Sequence, residues 1–169
     1  MNQEQQVVND FFSKFKKYNT EILAMSWILI AICFMVHLVV VLVGYESMVQ
    51  STFLFDKENR MTVGLLLFLS PILGFLRMFP YWTFNKNRKN TALNELLKYH
   101  PIDRKQICNM MCEKLIKFML KLLLYNIVIL VFMGLLRGEI ISWIYLFYVF
   151  ILTFVWPVII NIIWIYVKK

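Results

Sequence analysis

Four long runs of apolar residues dominate the hydrophobic pattern of this chain. They cover residues 22–45, 61–84, 118–136 and 140–167. A helix needs about 20 residues to cross the roughly 30 Å of bilayer hydrocarbon. The first, second and fourth runs are long enough alone, whereas the third must include the segment before Leu122, where Lys121 interrupts it. The pattern predicts an all-α integral membrane protein with four transmembrane helices, in a single domain that covers residues 1–169.

The composition supports this class and excludes an ordinary soluble domain. Hydrophobic residues make up 60% of the chain, charged residues only 17%, and the mean hydropathy is +0.66. Such a chain carries too few polar side chains to cover a soluble surface, so the bilayer must serve as its solvent.

The charges predict the topology. The chain has 18 Lys and Arg and a formal net charge of +8, yet only Lys57, Arg60 and Arg137 fall in the two loops predicted to lie outside. The positive-inside rule therefore predicts a multi-pass membrane protein with both termini and the central loop in the cytoplasm. The cations flank apolar spans rather than forming a groove-directed stripe, which favours anionic lipid headgroups as partners and argues against nucleic acid. The first apolar run is too long for a cleavable signal peptide, so none is expected.

Residues 5–19 predict a helix that lies in the plane of the membrane interface. Aromatic side chains recur there on one helical face and lysines on the other, a pattern typical of interfacial helices. Packing of the same apolar face on a partner subunit is the alternative. The predicted anchors are Phe11, Phe12, Phe15, Lys14, Lys16 and Lys17.

Two polar residues inside the apolar runs are candidates for a function. Arg77 lies near the inner end of the second run, where its side chain can reach the interface, or else pair with an acid of another subunit. His37 lies in the middle of the first run, where it can bond across helices or carry protons. No acidic residue lies in any span, so a proton relay would have no second station. Pro71 and Gly74 predict a kink in the second span, and Pro157 one in the fourth.

The sequence offers little sign of an enzyme. Cys108 and Cys112 stand four residues apart on a predicted helix, but two thiols do not complete a metal site, and we expect none. Their position in an apolar stripe favours buried core thiols over a nucleophile paired with His100. No phosphate-binding glycine motif occurs, so ATP and Mg²⁺ are expected only on another polypeptide.

The segment 90–117 between the second and third runs is the most specific part of the chain. Asn90 or Thr91 can cap a short helix over 92–99, which the His100-Pro101 pair would end. Asp103 can then cap a second helix that runs directly into the third span. These features predict a short helix on the cytoplasmic side, rigidly joined to a membrane helix. Packing of its leucines on the bilayer interface is the alternative.

This segment resembles the coupling segment of type-2 ATP-binding-cassette exporter permeases. The likeness rests on the spacing of a leucine pair, a Pro-Ile pair, an arginine, an isoleucine and a lysine, and the predicted interfacial helix matches the connector helix of that family. The resemblance implies that the segment docks on a separate ATP-binding subunit and transmits its closure to the membrane helices. The implied coupling residues are Leu93, Leu96, Leu97, Tyr99, His100, Pro101, Ile102, Asp103 and Arg104, with Ile107 and Lys114 completing the spacing.

The chain departs from that family in having four spans, where six per half are usual. A polar and basic run over 85–90 also replaces the usual acidic pair. The resemblance therefore implies a shortened, non-enzymatic permease subunit that works with a separate ATPase and with another membrane subunit or a second copy. The expected activity is export of an amphipathic peptide, drug or lipid-like cargo. The alternative is a non-transporting scaffold or immunity-type protein that binds partner subunits.

Overall fold

The computed structural model describes residues 20–50, 59–81, 83–86, 89–92, 104–138 and 143–167, together with Gln6, Asp10 and Ser13 near the N-terminus. In chain order, helix α1 spans Thr20–Gln50 and helix α2 spans Asn59–Met78, followed by a 3-10 turn over Phe79–Tyr81. Strands β1 and β2 cover Thr83–Lys86 and Lys89–Ala92. Helix α3 spans Arg104–Arg137, and the last part of the chain comprises α4 (Trp143–Phe150), a π-helical segment (Ile151–Val155) and α5 (Trp156–Val167).

Four of these helical stretches are long and apolar enough to cross a membrane, which confirms the predicted number of spans and identifies a multi-pass membrane protein. Their bounds are Thr20–Tyr45, Met61–Tyr81, Lys105–Arg137 and Trp143–Val167. We refer to the fourth stretch, which contains α4, the π segment and α5, as span 4. All four spans are helical, as predicted.

A two-stranded antiparallel hairpin follows α2. Thr83 pairs with Ala92 and Lys86 with Lys89. The second span was predicted to continue to residue 84, but the helix ends at Tyr81 because the chain turns into β1. The predicted start of the short helix is also wrong, since Asn90, Thr91 and Ala92 belong to β2. Threonine and phenylalanine side chains on these strands favour an extended backbone, and the pairing satisfies backbone groups that a cap would otherwise serve.

Helix α3 runs without a break from Arg104 to Arg137. The helix that begins at Arg104 therefore continues into the third span without interruption. The proposed cap, Asp103, and the rest of 93–103 lie outside the described residues.

In the N-terminal segment the three described residues, Gln6, Asp10 and Ser13, are helical. The predicted interfacial anchors lie outside the described residues: Phe11, Phe12, Phe15, Lys14, Lys16 and Lys17.

Contacts between α1 and α2 show that these helices are antiparallel. Ser26 meets Leu76, His37 meets Ser70, and Gly44 lies against Thr62. We call the end of the bundle near Tyr81, Arg104 and Val167 the hairpin end, and the opposite end, near Gln50 and Arg137, the loop end.

Two apolar clusters fill the bundle. The first lies toward the hairpin end, with α3 contributing most of its buried residues, and the second lies toward the loop end. Buried members of the first cluster are Ile30, Leu73, Met78, Tyr81, Ile107, Cys108, Met111, Leu115, Met119, Leu122 and Ile165. Those of the second are Val40, Val41, Tyr45, Leu66, Leu130, Tyr145 and Val149.

Candidate functional site in the middle of the bundle

A layer of buried polar side chains separates the two apolar clusters. Each of the four spans contributes one residue to it: His37, Ser70, Asn126 and Thr153, all with at most 1% of their surface exposed. At a rise of 1.5 Å per residue, each lies about 12 to 17 Å from the loop end of its span. That depth is about half the thickness of the hydrocarbon core, so the four residues occupy corresponding positions near the middle of their spans. We call them the midplane layer.

Part of the midplane layer is hydrogen bonded. The His37 Nε2 and Ser70 Oγ atoms lie 3.1 Å apart and join α1 to α2. Of the two roles that the sequence leaves open for His37, bonding across helices is therefore the one observed. The Thr153 hydroxyl donates to the Val149 carbonyl at 2.6 Å, within its own span.

The rest of the midplane layer lacks partners among the described residues. The second imidazole nitrogen of His37, Nδ1, and both polar atoms of the Asn126 amide are buried without a hydrogen bond. An unpaired buried polar group costs about 1–3 kcal/mol in proteins. This layer is therefore a locally destabilised part of an otherwise well packed bundle.

The helices on both sides of the midplane layer depart from regular geometry. Pro71 follows Ser70 directly and lies inside α2. A proline has no N–H, so the Leu67 carbonyl four residues earlier loses its helical donor. The indole Nε1 of Trp156 donates to that carbonyl at 3.0 Å from span 4. Thr153 itself lies in the π-helical segment, which ends two residues before Pro157 and has a wider turn than an α-helix.

A second carbonyl that loses its helical donor to a proline accepts a side-chain hydrogen bond toward the hairpin end. Pro80 frees the Leu76 carbonyl, and the Ser26 hydroxyl donates to it from α1 at 2.6 Å. Pro71 in α2 and Pro80 in the turn that follows it thus create acceptors that polar side chains of α1 and span 4 use. In a bilayer such bonds matter because no water is available inside the hydrocarbon to replace them.

Helices α2 and α5 approach each other closely at Gly74. A methyl group placed there would lie 2.5 Å from Asn161 Nδ2 and 3.2 Å from Leu115 Cδ1. The absence of a side chain lets the Asn161 amide donate to the Pro71 carbonyl at 3.1 Å and to the Pro157 carbonyl at 2.8 Å. Gly74 therefore permits the contact that ties the two proline-containing helices together.

Arg77 lies among aromatic rings at the hairpin end. Its guanidinium carbon is 4.8 Å from the ring centroid of Trp27 and 5.9 Å from those of Tyr81 and Phe118. Such contacts stabilise a cation beside apolar surface, and the position in the last turn of α2 suits a side chain that extends toward the interface. Of the two roles predicted for Arg77, this placement favours the interfacial one.

The cysteines on α3 behave as core residues. Cys108 is buried in the first apolar cluster, with its thiol 4.0 Å from the Ile165 carbonyl oxygen. Among the described residues, no group of three or more His, Cys, Asp or Glu side chains could hold a metal ion. Gly138 has a positive φ of 67° directly after α3, a backbone conformation that glycine adopts readily and that ends the helix.

Most of the predicted coupling residues cannot be placed. Eight of them lie outside the described residues: Leu93, Leu96, Leu97, Tyr99, His100, Pro101, Ile102 and Asp103. The ninth, Arg104, is the first residue of α3.

Of the four residues in the midplane layer, the sequence pattern singled out His37 but not Ser70, Asn126 or Thr153. The signal was a polar residue near the centre of each apolar run, at matching distances from the span ends.

No protein-family model, curated protein or solved structure matches this chain. The interpretation of the site therefore depends on its residues and their geometry.

Proposed function

We propose that this protein is a non-enzymatic membrane subunit of a bacterial exporter and that it couples a separate ATP-binding subunit to movement of an amphipathic cargo. The observation that carries this proposal is the length and continuity of α3. Its 34 residues correspond to about 51 Å, whereas the hydrocarbon core is about 30 Å thick. About 20 Å of this helix is left for the interface and the space beyond it.

Contacts at the hairpin end would let the extended part of α3 move the other spans. The Tyr166 hydroxyl of α5 donates to Asn109 Oδ1 at 2.8 Å, and the Lys114 ammonium lies 4.9 Å from the Tyr81 ring centroid. Ile107 and Met111 are buried in the apolar cluster shared with α2 and α5. A push on the start of α3 would therefore be passed to the inner ends of both helices.

The helices that would receive this push contain built-in points of bending. Pro71 interrupts α2, and the π segment with Pro157 interrupts span 4. Kinks at such positions are a recognised route for helix movement. Both interruptions lie next to the midplane layer, where the two apolar clusters part.

In this proposal the hairpin end faces the cytoplasm, with the ATP-binding subunit docked on the segment 93–104. ATP and Mg²⁺ are bound by that subunit. Four spans pack into one compact bundle here, so the export path would form against another membrane subunit or a second copy of this chain. The resemblance of the segment to exporter coupling helices supports the choice of partner; the cargo class, an amphipathic peptide, drug or lipid-like compound, follows from the same resemblance.

The docking hypothesis is tested by replacing the leucine patch. A Leu96→Glu/Leu97→Glu variant should lose a co-purified nucleotide-binding subunit by at least tenfold, because two buried carboxylates cannot be accommodated in an apolar groove. Quantitative mass spectrometry of tagged protein from mild detergent measures this loss.

The matched control is Asn85→Glu/Thr91→Glu, which adds the same two charges to the neighbouring hairpin at positions that do not pair with each other. It should retain the partner. Equal recovery of the partner with the leucine variant, or equal loss with the control, would count against docking through this patch.

A further inference from the structure

We propose that the midplane layer is a binding site for a small neutral group that both donates and accepts hydrogen bonds. A water molecule and the amide or hydroxyl group of a solute share this chemistry. The proposal goes beyond coupling to an ATPase, because it concerns the isolated chain and holds whether or not a partner drives it.

The first argument is the mismatch between the chemistry of the layer and its partners. Asn126 presents a carbonyl oxygen and an NH₂ group side by side, and both are buried without a bond among the described residues. His37 adds a second nitrogen in the same condition, while its first nitrogen is fixed by Ser70. One acceptor, one double donor and one imidazole nitrogen are together complementary to a group with both functions.

The second argument is the position of these atoms. They lie between the two apolar clusters along their spans rather than within one, so a polar group bound there does not enter either cluster. The closed arrangement carries the penalty of unpaired polar atoms, and a ligand that pairs with them removes it. A polar group is therefore better accommodated at this level than in either adjacent cluster.

The third argument is the local helix geometry. Pro71 and the π segment lie beside Ser70 and Thr153, so two of the four helices are already irregular at this level. π-helical turns recur at functional sites, because they present backbone and side-chain groups that a regular helix would bury. The same irregularities allow the small displacement that admission of a ligand requires.

The experiment measures the access of water and solutes to a reporter thiol. In a variant with Cys33, Cys108 and Cys112 replaced by alanine, Ser70→Cys places a thiol in the layer and keeps Asn126 intact. Leu73→Cys is the control on the same helix, since Leu73 is equally buried but lies in an apolar cluster. The rate of reaction with the aminoethyl methanethiosulfonate reagent is followed in proteoliposomes, with intact-mass spectrometry as the readout.

We expect the Ser70→Cys thiol to react at least tenfold faster than the Leu73→Cys thiol. Adding Asn126→Leu should slow the Ser70→Cys reaction at least fivefold, because the group that draws polar molecules into the layer is removed. Equal rates at the two reporters, or a Ser70→Cys rate that Asn126→Leu leaves unchanged, would overturn the proposal.

A second arm identifies the source of the bound group. N-methylacetamide carries a donor and an acceptor, whereas N,N-dimethylacetamide carries only an acceptor. Protection of the Ser70→Cys thiol by the first compound alone supports a solute amide as the ligand, and protection by neither supports water. Equal protection by both would contradict a site that requires donor and acceptor together.

Discussion

Substitution of Gly74 by alanine should be among the most damaging single changes in the membrane part of this protein. The added methyl group would lie 2.5 Å from Asn161 Nδ2 and 3.0 Å from Asn161 Cγ, so the buried amide must move. Overpacking of this kind costs about 1–3 kcal/mol. Loss of the bonds to the Pro71 and Pro157 carbonyls adds about 0.5–1.5 kcal/mol each. We therefore expect a loss of about 2–6 kcal/mol in the free energy of unfolding.

A double-mutant cycle isolates the cause. Asn161→Ala alone should cost only about 1–2 kcal/mol. The Pro71 and Pro157 carbonyls remain acceptors within their own helices and lose only the additional donor, the Asn161 amide. In the Gly74→Ala/Asn161→Ala variant the methyl group occupies the space that the amide leaves. The double variant should be about 2 kcal/mol more stable than the sum of the single effects predicts.

Unfolding by sodium dodecyl sulfate in mixed micelles, followed by far-ultraviolet circular dichroism, measures these values. The matched control is Gly64→Ala in the same helix, where no atom lies within 4 Å of the added methyl group. It should be neutral or stabilising by up to about 1 kcal/mol, as the higher helix propensity of alanine predicts. Additive effects in the cycle, or equal losses at Gly74 and Gly64, would refute the packing argument.

Two further substitutions test the polar contacts of α2 and α3. Trp156→Phe should cost about 1–3 kcal/mol, because the Leu67 carbonyl loses its donor. Adding Pro71→Ala should recover most of this loss by restoring a backbone N–H to α2, and the same unfolding assay measures both variants. A Trp156→Phe loss that Pro71→Ala leaves unchanged would be inconsistent with this role of the indole. Asn126→Leu removes two polar atoms that have no partner among the described residues. It should raise the free energy of unfolding by about 1–3 kcal/mol where the midplane layer is dry, whereas a loss of stability of similar size would show that a bound water or solute pairs with this amide.

The apolar pattern was sufficient to predict the four spans and the continuity of α3. Period and length are local properties of a sequence, and a membrane leaves few alternatives to a helix for an apolar run of about 20 residues. The stripe that contains Cys108 and Met111 was likewise readable as a buried face, and it lies in the first apolar cluster.

The hairpin was missed because the residues that form it are ambiguous. A run of asparagines and lysines is compatible with a polar loop, a helix cap or a turn, and pairing of Thr83 with Ala92 depends on the whole segment folding back. Local preference did not decide between these possibilities.

The contacts between spans also could not be read from the sequence. Trp156 is 89 positions from Leu67, and nothing in either segment indicates that an indole serves a proline-freed carbonyl. The presence of prolines does predict that free acceptors exist, but the identity of each donor is set by helix packing. Likewise, the midplane layer emerges only when the four spans are aligned by depth.

The central claim, that this chain serves a separate ATP-binding subunit, is tested most directly by isolating the tagged wild-type protein from its own membrane in mild detergent and measuring the stoichiometry of what accompanies it by mass spectrometry. The proposal predicts a nucleotide-binding subunit in near-equal amount, together with another membrane subunit or a second copy of this chain. Recovery of the chain without any nucleotide-binding partner, in the presence and absence of Mg-ATP, would contradict it.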